Sequence, residues 1–216
     1  MTSFDINAQI FDLLSDHNLM QVDNLVFKDG NIDNPFCVKE YDYYGDFHTS
    51  EFYQQTMKMK NINQSTDLLV PIQLYMDETA LDLCSKLSLQ SLVMTLLIFN
   101  RETRNLSMSW RTIAYIPNFD ATFQNKNYSV DMKYNNFHFC LRYLLNGIEK
   151  VINFQDGFNW NFNFEKYPDK VYQRKIKFVL GNVLGDAKGA NVLCSRFNNN
   201  TTSHIARDCY VKTLEC

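Results

Sequence analysis

The stretch "VPIQLYMDETALD", Val70 to Asp82, runs from an apolar segment of strand type directly into acidic residues. An apolar run with so few interruptions is typical of a central strand that is buried on both faces. Carboxylates at the end of such a strand are costly to bury unless a partner compensates their charge. Asp77, Glu78 and Asp82 therefore raise the first question about function.

Two further strand-like segments follow the first along the chain. Ser88 to Asn100 is an apolar run, and Ser109 to Pro117 alternates before the proline stops it. Three consecutive strands with short links predict an antiparallel meander. A short helix is the alternative for the second of these segments.

The spacing becomes helical from about Ser129, with a broad apolar stripe that continues to Ile152. After an intervening loop, "RKIKFVLGNVLGD" predicts a fourth strand that ends at Asp186. The predicted order is three strands, a helix and a fourth strand. This is the order of the front half of an RNase H-like α/β fold, in which the first and fourth strands are neighbours. Asp77 and Asp186 would then lie together, where a divalent cation offsets their mutual repulsion.

The aromatic residues Phe158, Trp160, Phe162 and Phe164 alternate with polar ones in the loop before the fourth strand. This pattern favours an amphipathic strand or a patch over the core. Stacking on unpaired nucleic-acid bases is the alternative.

Length and composition predict one globular core, because the 216 residues are 45% hydrophobic. We expect an accessory helical or irregular region at 1–65, a partial RNase H-like core at 66–190 and a loop-rich, Cys-containing tail at 191–216. The net charge of −3 argues against binding nucleic acid by bulk charge alone and leaves a local basic patch open. Arg101 and Arg104, in the predicted turn after the second strand, are the candidates for contacts with DNA phosphate.

The expected localisation is the nucleus or the cytoplasm. No segment approaches the ~20 apolar residues that a membrane span needs. Acidic residues close to the N-terminus argue against a secretory signal. The six cysteines are therefore interpreted as reduced thiols.

Longer strings of the sequence support a family resemblance. They are Asp77-Glu78-Thr79 after the first strand, "FNRETR" from Phe99 to Arg104, the strand from Trp110 to Pro117, and "VLGDAKGANVLCSRF" around Asp186. Together they resemble the catalytic core of the transposases of Plavaka-type and related CACTA-like DNA transposons. The resemblance covers about Phe47 to Cys216, with Ala114 where the family often has glycine.

The resemblance implies a DDE/D-type enzyme that cuts and joins DNA at transposon ends with Mg²⁺ or Mn²⁺. Asp77 and Asp186 would be catalytic residues and metal ligands. Such cores take a third carboxylate from a helix after a fifth strand, whereas this chain ends at Cys216. We therefore expect a truncated or decayed copy that is incomplete at its C-terminus and inactive alone.

Two alternatives remain at this stage. In the first, the chain is a non-catalytic remnant that binds DNA or protein. In the second, it is an unrelated metal-dependent nuclease that takes a third acid from Asp82, Glu78 or Asp120. A core without its last strand and helices would leave a sheet edge and a face uncovered. We therefore also expect a partner, an oligomer or aggregation.

The tail contains a second candidate site, for zinc. Its ligand types are Cys194, His204, Cys209 and Cys216, at spacings of 10, 5 and 7 that fit no standard zinc finger. The transposases that this chain resembles often carry a Cys-rich insertion ending in "CRDC". This chain has "ARDC" there, with Ala206 and Cys209. Ordinary reduced thiols in a loop are the alternative.

Overall fold

Residues 1–27, 29–38, 45–80, 88–117, 130–154 and 156–185 are described by the computed structural model. Within them, the strands are β1 (Thr2–Ser3), β2 (Asp67–Ala80), β3 (Ser88–Leu96), β4 (Arg111–Pro117), β5 (Phe158–Asn163) and β6 (Val171–Gly185). The helices are α1 (Ile6–Ser15), α2 (Glu51–Met59), α3 (Arg101–Arg104) and α4 (Val130–Ile152). The strands form one sheet in the order β1-β4-β3-β2-β6-β5, so this part of the chain is mixed α/β.

The predicted meander is confirmed in β2, β3 and β4. β2 pairs antiparallel with β3 from Ile72 opposite Leu96 to Ala80 opposite Ser88, and β3 pairs antiparallel with β4. The second strand is shorter than predicted because the chain leaves the sheet after Leu96 and enters α3. Asn100 caps that helix, since its side chain accepts a hydrogen bond from the Thr103 N–H at 2.9 Å.

The predicted fourth strand, β6, lies beside β2 and runs parallel to it. Parallel neighbours need a long crossover connection, and α4 lies in the connection between β4 and β6. β5 precedes β6 in the chain and pairs antiparallel with its first half, from Phe158 opposite Ile176 to Asn163 opposite Val171. The sheet edge that we expected to be uncovered beside the fourth strand is therefore paired over this half.

β2 is apolar almost throughout because both of its faces are covered. Alternate residues of a strand point to opposite faces of the sheet. We call one face the α4 face; its β2 residues, Leu68, Val70, Ile72, Leu74 and Met76, share a hydrophobic cluster with α1 and α4. The other, the α2 face, carries Leu69, Gln73, Tyr75 and Asp77, and Leu69 packs on Tyr53 and Met57 of α2.

The N-terminal region contributes to the same core as the sheet. Ile10 and Leu13 of α1, together with Phe27 and Phe36 of the segment that follows, are buried in the cluster on the α4 face. The Phe36 ring packs against Phe162 of β5, with the ring centroids 4.8 Å apart.

The alternating aromatic residues form β5 and the turn after it, which confirms the amphipathic-strand interpretation. Phe162 and Phe164 are each only 2% exposed. Trp160 stacks on Phe11 of α1 at a centroid distance of 5.4 Å. These rings are therefore engaged in core contacts and not displayed for stacking on bases.

Candidate active site

Asp77 lies within β2 and not at its end. The strand continues through Glu78 and Thr79 to Ala80, so the prediction that Asp77, Glu78 and Thr79 follow the end of the first strand is wrong. The reason is that β3 extends far enough to pair with them, with Asp77 opposite Ser91. The Ser91 hydroxyl donates a hydrogen bond to the Asp77 carbonyl oxygen at 3.3 Å, which ties the two strands together at this point.

The Asp77 side chain lies on a relatively open part of the α2 face. Asp77 is half-buried, as are Tyr75 and Ser91, and Tyr115 of β4 next to Ser91 is exposed. Tyr75 makes an edge contact with Trp110, with ring centroids 6.2 Å apart. Within the described residues, the Asp77 carboxylate makes no hydrogen bond and no ion pair.

Glu78 lies on the opposite face of the sheet from Asp77, because consecutive strand residues alternate. Its carboxylate accepts a hydrogen bond from the Ser88 hydroxyl at 2.6 Å. The two neighbouring acids of the opening stretch therefore do not share one site. Glu78 is unsuited as a co-ligand of Asp77.

β6 brings its C-terminal end to the level of Asp77. The last described pair between the two parallel strands joins Met76 to Gly185. Gly185 directly precedes Asp186 in the sequence. Asp186 itself, the alternative third acids Asp82 and Asp120, and the zinc candidates Cys194, His204, Cys209 and Cys216 lie outside the described residues.

A divalent cation needs more than Asp77. Mg²⁺ prefers oxygen donors, and a half-buried carboxylate such as that of Asp77 suits it chemically. In the described part of the chain, however, no group of three or more His, Cys, Asp or Glu residues is arranged to hold a metal. Asp77 therefore supplies one donor, and a complete set depends on residues beyond those described.

Arg104, one of the two predicted DNA contacts, has a protein partner. Its guanidinium donates to both carboxylate oxygens of Asp46, each at 2.6 Å. Asp46 also accepts from the Phe47 N–H, and the Arg104 carbonyl accepts from the Trp110 indole N–H at 2.7 Å. Arg104 thereby joins α3 to the segment that precedes α2. Arg101, at the start of the same helix, is exposed.

We expect Arg104→Ala to lower the free energy of unfolding by about 1–2 kcal/mol, because it removes charge-assisted hydrogen bonds from a partly buried carboxylate. Arg101→Ala is the matched control, since it changes an exposed arginine of the same helix. Urea unfolding of both variants measures the difference. Equal stabilities would show that the Asp46 contact contributes little.

Other basic residues of the described part of the chain also bind protein groups. Arg111 binds Asp12 and Asp16 of the α1 region, and Lys177 binds Asp67 at 3.1 Å. Lys60 donates to the Ile152 carbonyl at 3.1 Å, and burial, with Lys177 as a second cause, lowers the pKa of its ammonium group. Exposed basic side chains include those of Lys58, Arg101 and Lys175.

Arg174 is a buried cation in the first half of β6. It is 8% exposed and donates to the Asn34 side chain at 3.0 Å, while its guanidinium lies over the Phe36 ring at 5.5 Å. Burial lowers the pKa of this guanidinium. These contacts hold the segment around Asn34 against the sheet and make Arg174 structural.

Comparison of the chain with protein-family models, curated proteins and solved structures finds no match. Among the described helices, none is both long enough and apolar enough to cross a lipid bilayer.

Proposed function

We propose that this chain is part of a DDE-type transposase core with an RNase H-like fold, in which Asp77 and Asp186 are two of the carboxylates that bind Mg²⁺ or Mn²⁺. The intact protein would cut and join DNA at transposon ends. When bound, the cation supplies positive charge next to a phosphate oxygen and lowers the barrier to phosphoryl transfer.

One observation carries the proposal: β2 and β6 are adjacent and parallel, with Met76 opposite Gly185. An antiparallel meander and the long helix α4 precede β6 in the chain, as the proposed fold requires, and β5 is an additional strand between α4 and β6. The half-buried Asp77 follows Met76 directly, and Asp186 follows Gly185. Two carboxylates from neighbouring strands are therefore the expected minimum of this site.

The proposal is tested by titrating the pure protein with Mn²⁺ and following free Mn²⁺ by electron paramagnetic resonance. We expect Asp77→Asn and Asp186→Asn each to weaken binding on the order of tenfold or more, since each removes a charged ligand. Glu78→Gln is the matched control, because it neutralises the adjacent acid on the opposite face. Its affinity should equal that of the wild type.

Equal Mn²⁺ affinity in all four proteins would contradict the proposal. The alternative, a remnant that binds DNA or protein without chemistry, predicts a different result. In that case DNA or protein binding persists without any cation and is unchanged by Asp77→Asn.

A further inference from the structure

β5 forms one edge of the sheet, and its outer side pairs with no strand in the described part of the chain. Its sequence, "FNWNFN", contains no proline and no charged residue, and it pairs with β6 without a register shift. Proteins normally protect a sheet edge with charges, prolines, bulges or very short strands. The opposite edge, β1, is only two residues long, whereas β5 has none of these protections.

The hydrogen bonds of β6 determine which backbone groups of β5 point outwards. The Lys175 N–H donates to the Thr66 carbonyl oxygen at 2.9 Å, on the side of β6 that faces β2. Because successive strand residues direct their N–H and C=O groups to opposite sides, Ile176 directs its groups to β5 and exchanges hydrogen bonds with Phe158 opposite it. The same alternation directs outwards the backbone groups of Asn159, Asn161 and Asn163.

These three asparagines are exposed, and their outward groups form no hydrogen bond with any described residue. A row of backbone donors and acceptors at an open edge is the site at which a further strand adds to a sheet. The side chains on the other face of β5, Phe158, Trp160 and Phe162, pack against the core on the α4 face. An added strand therefore extends the sheet without disturbing that packing.

A second copy of β5 matches this edge in one antiparallel register. With Asn161 opposite Asn161 across a two-fold axis, Asn159 lies opposite Asn163 of the second copy, and every outward N–H of the three asparagines meets a carbonyl oxygen. A shift by one residue places inward-directed groups opposite outward-directed ones, so this edge cannot pair in that register.

The side chains agree with the same register. Asparagine lies opposite asparagine on the α2 face, and Trp160 lies opposite Phe162 of the second copy on the α4 face. Aromatic cross-strand pairs are favourable, and no like charges meet, because "FNWNFN" is uncharged.

We propose that β5 is a self-association edge, through which two copies of this chain pair in an antiparallel manner with Asn161 on the two-fold axis. The two sheets then form one continuous sheet. The inference goes beyond the proposed function, because it involves no cation and no residue of the Asp77 site. Edge pairing provides few side-chain contacts, so we expect a weak dimer that dissociates in the micromolar range.

Amide hydrogen exchange of the wild type tests the proposal without any substitution. The N–H groups of Asn159, Asn161 and Asn163 should exchange several-fold more slowly at high protein concentration than at low concentration, where the dimer dissociates. The N–H groups of Trp160 and Phe162 are the internal control. They point towards β6, so their exchange should not depend on protein concentration.

Two substitutions at the axis test the register by sedimentation velocity. Asn161→Lys places two ammonium groups opposite each other and should weaken dimerisation at least about tenfold. Gln173→Lys is the matched control. It adds the same charge to the exposed residue opposite Asn161 on β6, one strand farther from the axis, and should change the affinity no more than about threefold.

A mixture of Asn161→Lys and Asn161→Asp should restore the dimer, because only a residue that faces its own copy is repelled by itself and attracted by the opposite charge. A wild type that remains monomeric at millimolar concentration overturns the proposal. So does a dimer that Asn161→Lys leaves intact, or a mixture in which no dimer returns. Hydrogen exchange of the wild type decides the question if a variant does not fold.

Discussion

Phe178→Ala should lower the free energy of unfolding by about 3–5 kcal/mol, the usual cost of truncating a fully buried phenylalanine. Phe178 is 1% exposed and lies opposite Val70 in the parallel pair of β2 and β6. Its ring also contacts Phe158, with the centroids 5.9 Å apart. The substitution therefore leaves a cavity between β5, β6 and the helices of the α4 face. Urea unfolding monitored by circular dichroism measures the change.

Phe139→Ala is the matched control for this prediction. Phe139 lies on α4 but is 74% exposed, so the same truncation removes few contacts and should change stability by no more than about 0.5 kcal/mol. Similar losses of unfolding free energy in both variants would contradict the conclusion that Phe178 is buried on the α4 face and Phe139 is exposed. They would mean that the outer surface of α4 is covered by another part of the protein.

The central elements of the sheet could be predicted because their residues carry strong local signals. Val70 to Met76 is apolar at nearly every position, and the structure shows the cause: Leu69 packs on α2 while its neighbours pack towards α4. The stripe that ends near Ile152 identified α4 for a similar reason, since a helix of this length buries one broad face. In both cases the pattern reports directly on burial.

Contacts between distant segments carry no comparable signal in one sequence. Asp46 and Arg104 are 58 positions apart, and nothing in either neighbourhood indicates that they form a bidentate pair. Arg104 was therefore predicted as a DNA contact from its charge and its place after the second strand. Its exposed neighbour Arg101 has the same charge but a different environment.

The candidate site could be predicted only in part. Asp77 stands out in sequence because a carboxylate follows an apolar strand, but that signal does not tell where the strand ends. Pairing of β3 with Glu78, Thr79 and Ala80 decides this, and it is a tertiary effect. β6 also has a β-bulge at Gly181, because Ile72 lies opposite Leu180 and Gln73 opposite Asn182. That bulge had a local signal, since an isolated glycine in a strand pattern indicates a bulge or a close backbone approach.

Gly181→Val should lower the free energy of unfolding by about 1–3 kcal/mol, because it forces a branched side chain into an enclosed position. The nearest atom to the new Cβ would be Leu97 Cδ1, and Leu97 is itself only 2% exposed. Its side chain cannot move away freely, and the Phe47 ring and Pro71 limit the remaining space. Thermal or urea unfolding of the variant gives the loss directly.

A double-mutant cycle with Leu97→Ala identifies the cause of that loss. Leu97→Ala alone should cost about 2–5 kcal/mol as a buried truncation, but it also removes the atom that a valine at position 181 would strike. The double variant should therefore be more stable than the sum of the two single losses by at least about 0.5 kcal/mol. Strict additivity would show that the valine acts elsewhere, for example on the backbone of the bulge itself. Coupling would show that the glycine is required by the close packing of Leu97 against β6.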